Sequence, residues 1–164
     1  MRAKVRVIGI GNDYRRDDAT GRTVARNLKK RIPPDTEILE ETGEGTALLE
    51  AWRGAEHVFL IDAVQSGAPA GTLHRIDVQT QPLPSSLFRH STHAFGIAEG
   101  IELARVLQEL PPRLIVYGIE GGRFDAGVGL SPEVENAVKE TEARLREEIA
   151  TLQDFPMRQD SHHA

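Results

Sequence analysis

The sequence predicts one α/β domain of three layers (α/β/α), in which a mostly parallel sheet carries helices on both faces. Apolar runs typical of strands alternate along the chain with helical patterns, and such alternation favours parallel strands joined by crossover helices. Residues 58–61 and 114–119 are apolar almost without interruption, as expected for strands covered on both faces. The 164 residues fit one domain, predicted at residues 1–153 and followed by a flexible C-terminal tail over residues 154–164.

The first half of the chain contains three predicted strands and two predicted helices. Strand one is expected over residues 3–10, and the spacing of Val24, Leu28 and Ile32 predicts a helix over residues 19–31. Two consecutive prolines end that helix. The elements that follow are a strand over 36–41, a short helix over 46–52 and a central strand over 57–64.

The second half continues the same alternation. A weaker pattern predicts an edge strand over residues 73–78, and the prolines and serines of residues 80–90 predict a loop. Helical spacing of apolar residues predicts a helix over residues 92–110. A buried strand over 114–119, a glycine-rich loop and a last helix opened by Ser131 and Pro132 complete the domain.

The composition excludes several classes of protein. The formal net charge is −5 and no basic stripe stands out, so we expect no nucleic-acid partner. No apolar run has the length of a membrane span and the N-terminus leads directly into a strand, so we expect neither a membrane partner nor a signal peptide. The chain has no cysteine, which excludes disulfides, thiolate nucleophiles and cysteine-bound zinc. These features together predict a cytoplasmic protein.

The turn between strand one and the first helix is the most informative segment. Residues 9–21 read Gly-Ile-Gly-Asn-Asp-Tyr-Arg-Arg-Asp-Asp-Ala-Thr-Gly, and Asp17 and Asp18 stand where the helix is expected to begin. Helix capping explains one acid at this place, because a carboxylate is stabilised near the positive end of a helix. Two adjacent acids exceed what one cap requires, which leaves a functional role open.

Three side chains are expected to converge at one edge of the sheet. Asp18 follows strand one, Asp62 closes the central apolar run, and His93 is expected in the first turn of the helix over 92–110. Ligands of such sheets bind beyond the carboxyl ends of the strands. Two carboxylates and an imidazole suit a divalent ion such as zinc, nickel or cadmium, and a carboxylate could also serve as a general base. The alternatives are structural: Asp62 buttresses a turn, His93 is an ordinary polar residue near a helix start, and His90 is at most a substrate contact.

Two other functional patterns are incomplete or absent. Gly9 and Gly11 suggest a dinucleotide site, but Tyr14 stands in place of the third glycine of that pattern. Asp17 and Asp18 at the helix start would also repel a pyrophosphate. The sequence has no Gly-x-Ser-x-Gly elbow and no phosphate-binding lysine motif. A small nucleotide-binding protein therefore stands as an alternative that nucleotide titration would test.

Five sequence blocks resemble those of the hydrogenase maturation endopeptidases, and they extend over residues 5–138 in the order of the family. They are Gly9-Ile10-Gly11-Asn12 with Asp17-Asp18 and Gly21, Ile61-Asp62-Ala63 with Ala70-Gly71-Thr72, Ser91-Thr92-His93 with Gly96-Ile97-Ala98, residues 116–120 and residues 129–134. The chain departs from the family pattern at Arg15 and Arg16, which add positive charge beside the acids, and at Gly121-Gly122, where the family often has proline.

The resemblance implies an endopeptidase that removes the C-terminal extension of a nickel-iron hydrogenase large-subunit precursor after nickel insertion. It implies that Asp18, Asp62 and His93 contact the metal and carry the catalysis, with Asp18 in place of a glutamate that is common at its position. It also implies that nickel arrives with the nickel-loaded precursor as a recognition element, while the purified protein holds no metal or takes another divalent metal in vitro. The main alternative is an assembly factor that recognises nickel without cleaving the precursor.

Overall fold

Five strands form one sheet in the computed structural model, which describes residues 4–163 and the side chains of residues 4–153. The strands are β1 (Val5–Ile10), β2 (Glu37–Glu41), β3 (His57–Val64), β4 (Leu73–Asp77) and β5 (Arg113–Glu120). Their order across the sheet is β2-β1-β3-β5-β4, with parallel pairing throughout except for β4, which pairs antiparallel with β5 at the edge. The predictions of a mostly parallel sheet and of an edge strand over 73–78 are confirmed.

Four helices cover the two faces of the sheet. They are α1 (Thr20–Leu28), α2 (Gly45–Ala51), α3 (Ile97–Leu107) and α4 (Pro132–His163). One 3₁₀ turn (Arg16–Ala19) leads into α1, and another (Ser85–Phe88) lies in the segment predicted as a loop. Helices α1 and α4 pack on one face against Val7, Phe59 and Ile61, while α2 and α3 pack on the other against Ile8 and Leu60. The predicted three-layer arrangement is therefore confirmed. Within the described residues, no helix combines the length and the apolar character that crossing a bilayer requires.

The central strands explain why the apolar runs are continuous. All six residues of β1 are buried, because the side chains of Val5 and Val7 face one helical layer and those of Ile8 and Ile10 face the other. Burying each large aliphatic side chain contributes about 1.5–3 kcal/mol, and the β-branched shape suits a pleated surface. These strands therefore hold the sheet edge, where the polar residues lie, in a fixed position.

Two glycines allow α1 to lie directly on the sheet. A methyl group on Gly21 would overlap the carbonyl oxygens of Ile61 and Ile10, and one on Gly9 would overlap the backbone of Gly21. Backbone atoms cannot move aside as a flexible side chain can, so both positions require the absence of a side chain. This close contact fixes the start of α1, and with it the preceding turn that carries Asp18.

The start of α3 differs from the prediction. The helix begins at Ile97 and not at residue 92, because the Glu99 carboxylate accepts a hydrogen bond from the Gly96 N–H at 2.9 Å and caps the helix there. His93 consequently lies in the loop before the helix and not in its first turn. The predicted tail over residues 154–164 begins inside α4, but its side chains lie outside the described part of the chain, so its flexibility stays a prediction.

Candidate active site

A cavity of about 340 Å³ lies beyond the carboxyl ends of β1 and β3. The chain leaves β1 toward β2 on one side and reaches β3 on the other, so this is the point where the order of a doubly wound sheet reverses and where ligands bind. The polar side chains that line the cavity are those of Asn12, Arg15, Asp18, Asp62, His90 and His93, among others. The prediction that the site lies at the carboxyl edge of the sheet thus coincides with a polar cavity there.

Asp62 is a deeply placed acid of this cavity. It lies within β3 opposite Gly118 of β5 and is 4 % exposed. One carboxylate oxygen, Oδ1, accepts a hydrogen bond from the Ala63 N–H at 2.8 Å. Burial, followed by the nearby charge of Asp18, raises the pKa of Asp62 well above its ordinary value. A proton or a cation at this place relieves the repulsion between the two acids.

Asp18 is held in the cavity by the segment that precedes it. Its Oδ2 accepts a hydrogen bond from the Asn12 N–H at 3.1 Å and lies 3.7 Å from the guanidinium of Arg15. Neither the 3₁₀ turn nor α1 has a side-chain cap at its N-cap residue. Capping of the first helix is therefore the wrong explanation for this acid, which is buried instead beside Asp62.

His90 lies beside both acids. Its imidazole is 1 % exposed, its Nε2 lies 3.1 Å from Oδ1 of Asp18, and its ring stacks on Phe124 with centroids 4.5 Å apart. The Nδ1 atom is buried without a hydrogen-bond partner among the described residues. Ligand atoms of His90, Asp18 and Asp62 all lie within 4.8 Å of one another. Two carboxylates and an imidazole this close form a donor set that suits a divalent transition metal.

His93 lines the same cavity but has a different partner. Its Nε2–H donates a hydrogen bond to the carbonyl oxygen of Thr42 at 3.1 Å, and its backbone N–H donates to the Ser91 hydroxyl at 3.2 Å. Of the three residues predicted to converge, the structure thus brings Asp18 and Asp62 together, with His90 beside them and His93 in the wall. The role of His93 as a metal contact stays a prediction. The feature of the sequence that could have indicated His90 is its position three residues before His93 in the same loop.

Asp17 has a structural role that is distinct from that of its neighbour. Its fully buried carboxylate accepts four hydrogen bonds of 2.7–2.9 Å, from the N–H groups of Gly122, Arg123 and Ser131 and from the Ser131 hydroxyl. Burial alone would raise the pKa of Asp17, but the hydrogen bonds outweigh it and lower the pKa below its ordinary value. The side chain therefore ties the turn of Asp18 to the glycine-rich loop and to the start of α4.

We expect the Asp17→Asn substitution to lower the free energy of unfolding by about 3 kcal/mol at pH 7, because an amide turns its NH₂ group toward N–H donors. The pKa of Asp17 is lower in the folded protein than in the unfolded chain, so ionised Asp17 stabilises the fold at every pH above its unfolded pKa. This stabilisation is lost as the pH falls through the pKa of Asp17 in the folded protein. The difference between wild type and variant should therefore shrink below about pH 4. Urea unfolding at pH 7 and in acid measures both effects, and Asp77→Asn is a control at the opposite edge. A constant difference at all pH values would contradict the ionised role of Asp17.

Comparison with known proteins finds a matching family, similar sequences and similar structures. The family model HycI, described as hydrogenase maturation protease, matches residues 22–148. The hydrogenase 2 maturation protease of Escherichia coli (strain K12) is 28% identical over 156 residues, which is 92% of each chain. The solution structure of an endopeptidase from Escherichia coli superposes with a TM-score of 0.75 at 27% identity, covering 88% of this chain and 90% of that one. The hydrogenase maturating endopeptidase HybD from E. coli gives a TM-score of 0.70 at 27% identity, covering 90% and 94%.

Proposed function

Because this chain belongs to the hydrogenase maturation protease family, and is thus a peptide-bond hydrolase that processes a hydrogenase precursor, we propose that it removes the C-terminal extension of a nickel-iron hydrogenase large subunit. We further propose that cleavage follows nickel insertion and takes place in the cytoplasm. The observation that carries the proposal is the buried group of Asp18, Asp62 and His90 in a cavity at the carboxyl edge of the sheet. Such a group can bind a metal ion, and its carboxylates can accept and release a proton at the same place.

Nickel is part of the substrate in this proposal and not a cofactor of the protease. The donor set fits it, because two carboxylates and one histidine supply three ligands and leave coordination positions for groups of the precursor. Precursor without nickel would leave Asp18 and Asp62 facing each other without a metal ion between them, and only the Arg15 guanidinium, 3.7 Å from Asp18, or a bound proton would offset their repulsion. The carboxylates therefore favour the loaded precursor over the empty one.

We assign the general base to Asp62. The chain contains no cysteine and no serine elbow, so the nucleophile is a water molecule. With one oxygen held by the Ala63 N–H, the Asp62 carboxylate accepts a proton from that water on its other oxygen. The water oxygen bonds to the scissile carbonyl carbon, the C–N bond breaks, and the proton passes from Asp62 to the departing nitrogen. The products are a new C-terminal carboxylate on the large subunit and a released peptide with a free amine.

The two histidines of the cavity should differ in their effect on metal binding. We expect His90→Gln to weaken Zn²⁺ binding by the isolated protein about tenfold or more, because the imidazole of His90 lies with both acids. His93→Gln should have the smaller effect, because the ring of His93 is bonded to the Thr42 carbonyl. Isothermal titration calorimetry with Zn²⁺ measures both affinities. Wild-type affinity in His90→Gln together with a loss in His93→Gln would assign the ligand to His93, as predicted from the sequence.

The proposal is tested by the intact mass of a large-subunit precursor before and after incubation with the protein. A nickel-loaded precursor should lose one C-terminal fragment, while the same precursor without nickel should keep its mass. Cleavage of both forms would contradict nickel recognition but not proteolysis. Binding of the loaded precursor without any change in mass would favour the alternative of an assembly factor that does not cut.

A further inference from the structure

Two strongly exposed apolar side chains, Tyr14 and Val128, lie on segments next to the cavity. In the described part of the chain the large hydrophobic residues that are exposed number five, and Tyr14 (72 % exposed) and Val128 (74 %) are two of the three most exposed. Tyr14 lies between Asn12 and Arg15, which both line the cavity. Exposed apolar side chains that lie on one surface mark sites of contact with a partner, whereas single scattered ones are ordinary.

The two segments that carry Tyr14 and Val128 are joined through their backbones. Arg15 and Gly127 form an isolated parallel β-bridge. The Gly127 N–H donates to the Tyr14 carbonyl at 2.9 Å, and the Arg16 N–H donates to the Gly127 carbonyl at 3.1 Å. Residues 14–16 and 123–128 thus form one continuous surface, which we name the docking rim.

The docking rim is held in a conformation that costs energy. Arg16 has a φ of 47°, in the left-handed region that non-glycine residues seldom adopt. Its guanidinium lies over Gly127, where an added Cβ would be 2.7 Å from Arg16 Cζ, and its Nε donates to Asp125 at 3.2 Å. Such backbone strain persists only where the surroundings over-determine it, and it is characteristic of sites that bind.

The docking rim is also coupled to the acids of the cavity. Phe124 of the rim stacks on His90, and the Arg123 N–H donates to Asp17, the neighbour of Asp18. A partner that contacts the rim is therefore placed at a fixed distance from the reacting groups. This arrangement suits alignment of a protein substrate with the cavity.

The charge of the docking rim indicates that the surface of its partner is acidic. The rim itself carries Arg15, Arg16 and Arg123 against one exposed acid, Asp125, because the neighbouring Asp17 and Asp18 are buried behind it. Its exposed face is therefore positive on a chain whose formal net charge is −5. Three further acids adjoin the rim: Asp18 lies 3.7 Å from the Arg15 guanidinium, Asp17 is bound by backbone N–H groups, and Asp13 is paired with Arg26 of α1 at 2.6 Å. A complementary surface is apolar at its centre and carries carboxylates around it.

We propose that the docking rim binds the folded body of the protein substrate, through apolar contacts of Tyr14 and Val128 and through carboxylates that meet its arginines. This inference rests on the proposed function, because it takes the occupant to be the precursor whose extension enters the cavity. A segment that reaches Asp62 through the cavity brings the rest of its protein against the rim. The rim then supplies affinity for the whole precursor, and the cavity supplies recognition of its metal.

The test compares two double variants in an Asp62→Asn background, which slows turnover during the measurement, and each Kd is compared with that of Asp62→Asn alone. Tyr14→Ser/Val128→Ser removes the apolar contacts of the rim. The matched control is Val106→Ser/Leu107→Ser, two exposed apolar residues at the far end of α3, about 15 Å along the helix from its start beside the cavity. Biolayer interferometry with immobilised nickel-loaded precursor should give a Kd about tenfold or more higher for the rim variant and an unchanged Kd for the control.

The same double variants in the active protein separate binding from chemistry. The rim variant should raise KM for the precursor and leave kcat close to the wild-type value, and the association rate of the wild type should fall as salt is added. Unchanged Kd and KM in the rim variant, or an association rate that rises with salt, would overturn the docking rim while leaving the protease intact. A wild-type protein that neither binds nor cleaves any precursor would overturn the proposed function and the docking rim together.

Discussion

The Asp62→Asn variant should fold normally and cleave the nickel-loaded precursor about 10²- to 10⁴-fold more slowly than the wild type. The amide has the shape of the carboxylate and its oxygen can still accept the Ala63 N–H, so the buried position stays filled and hydrogen-bonded. It can neither accept a proton from water nor offer a negative charge to a metal. The loss should therefore appear in the rate of the chemical step and not in stability.

Single-turnover cleavage, followed by intact mass, measures the effect on Asp62→Asn, and circular dichroism with thermal unfolding verifies the fold. Asp77→Asn serves as the control, because Asp77 ends β4 and does not line the cavity. A folded Asp62→Asn protein that cleaves at the wild-type rate would remove Asp62 from the mechanism. The same rate loss in Asp77→Asn would show that the assay reports stability and not catalysis.

The Gly21→Ala substitution should destabilise the fold by about 3 kcal/mol or more, which corresponds to a fall in Tm of about 6–12 °C for a domain of this size. The added methyl group would overlap two carbonyl oxygens of the sheet, those of Ile10 and Ile61, so α1 has to move outward. That movement also displaces the 3₁₀ turn of Asp18, and activity measured below the new Tm should fall as well.

Gly96→Ala is the matched control for Gly21→Ala. A Cβ at Gly96 would be in ordinary contact with its neighbours at 3.5 Å or more, and its φ of −107° suits any residue. We expect a cost below about 1 kcal/mol, from the poorer helix cap alone. Thermal unfolding of both variants under the same conditions measures the difference. Equal Tm values for Gly21→Ala and wild type would show that α1 can retreat from the sheet without cost.

The parts of this fold that the sequence predicted well are those decided by local patterns. The buried run that contains Asp62 was predicted at 57–64, where the structure has β3, because a strand covered on both faces needs apolar residues at every position. Its position in the sheet also placed Asp62 and Asp18 at the same edge. The start of α3 was predicted five residues too early, because apolar spacing does not mark the first residue of a helix, whereas the bond between Glu99 and Gly96 sets it.

The parts that could not be predicted depend on contacts distant in the sequence. The donors to Asp17 are 105 to 114 residues away, so nothing near this acid distinguishes it as structural from Asp18 as a cavity acid. The ring of His90 is placed by Phe124, which follows it by 34 positions and belongs to a glycine-rich loop. Spacing alone could not rank His90 above His93, since both lie in one loop and both line the cavity.

The four hydrogen bonds of Asp17 also bear on how the protein is made. On the ribosome the acids of residues 17 and 18 emerge early, whereas the donors at Gly122, Arg123 and Ser131 are synthesised more than one hundred residues later. Until those residues leave the exit tunnel, the carboxylate of Asp17 lacks all four of these donors, and the turn beside it is not tied to the glycine-rich loop or to α4. A nascent chain that already carries Asp18, Asp62, His90 and His93 therefore still lacks the contacts that hold the Asp18 turn and the His90 ring in place, and it gains them only in the last third of its own translation.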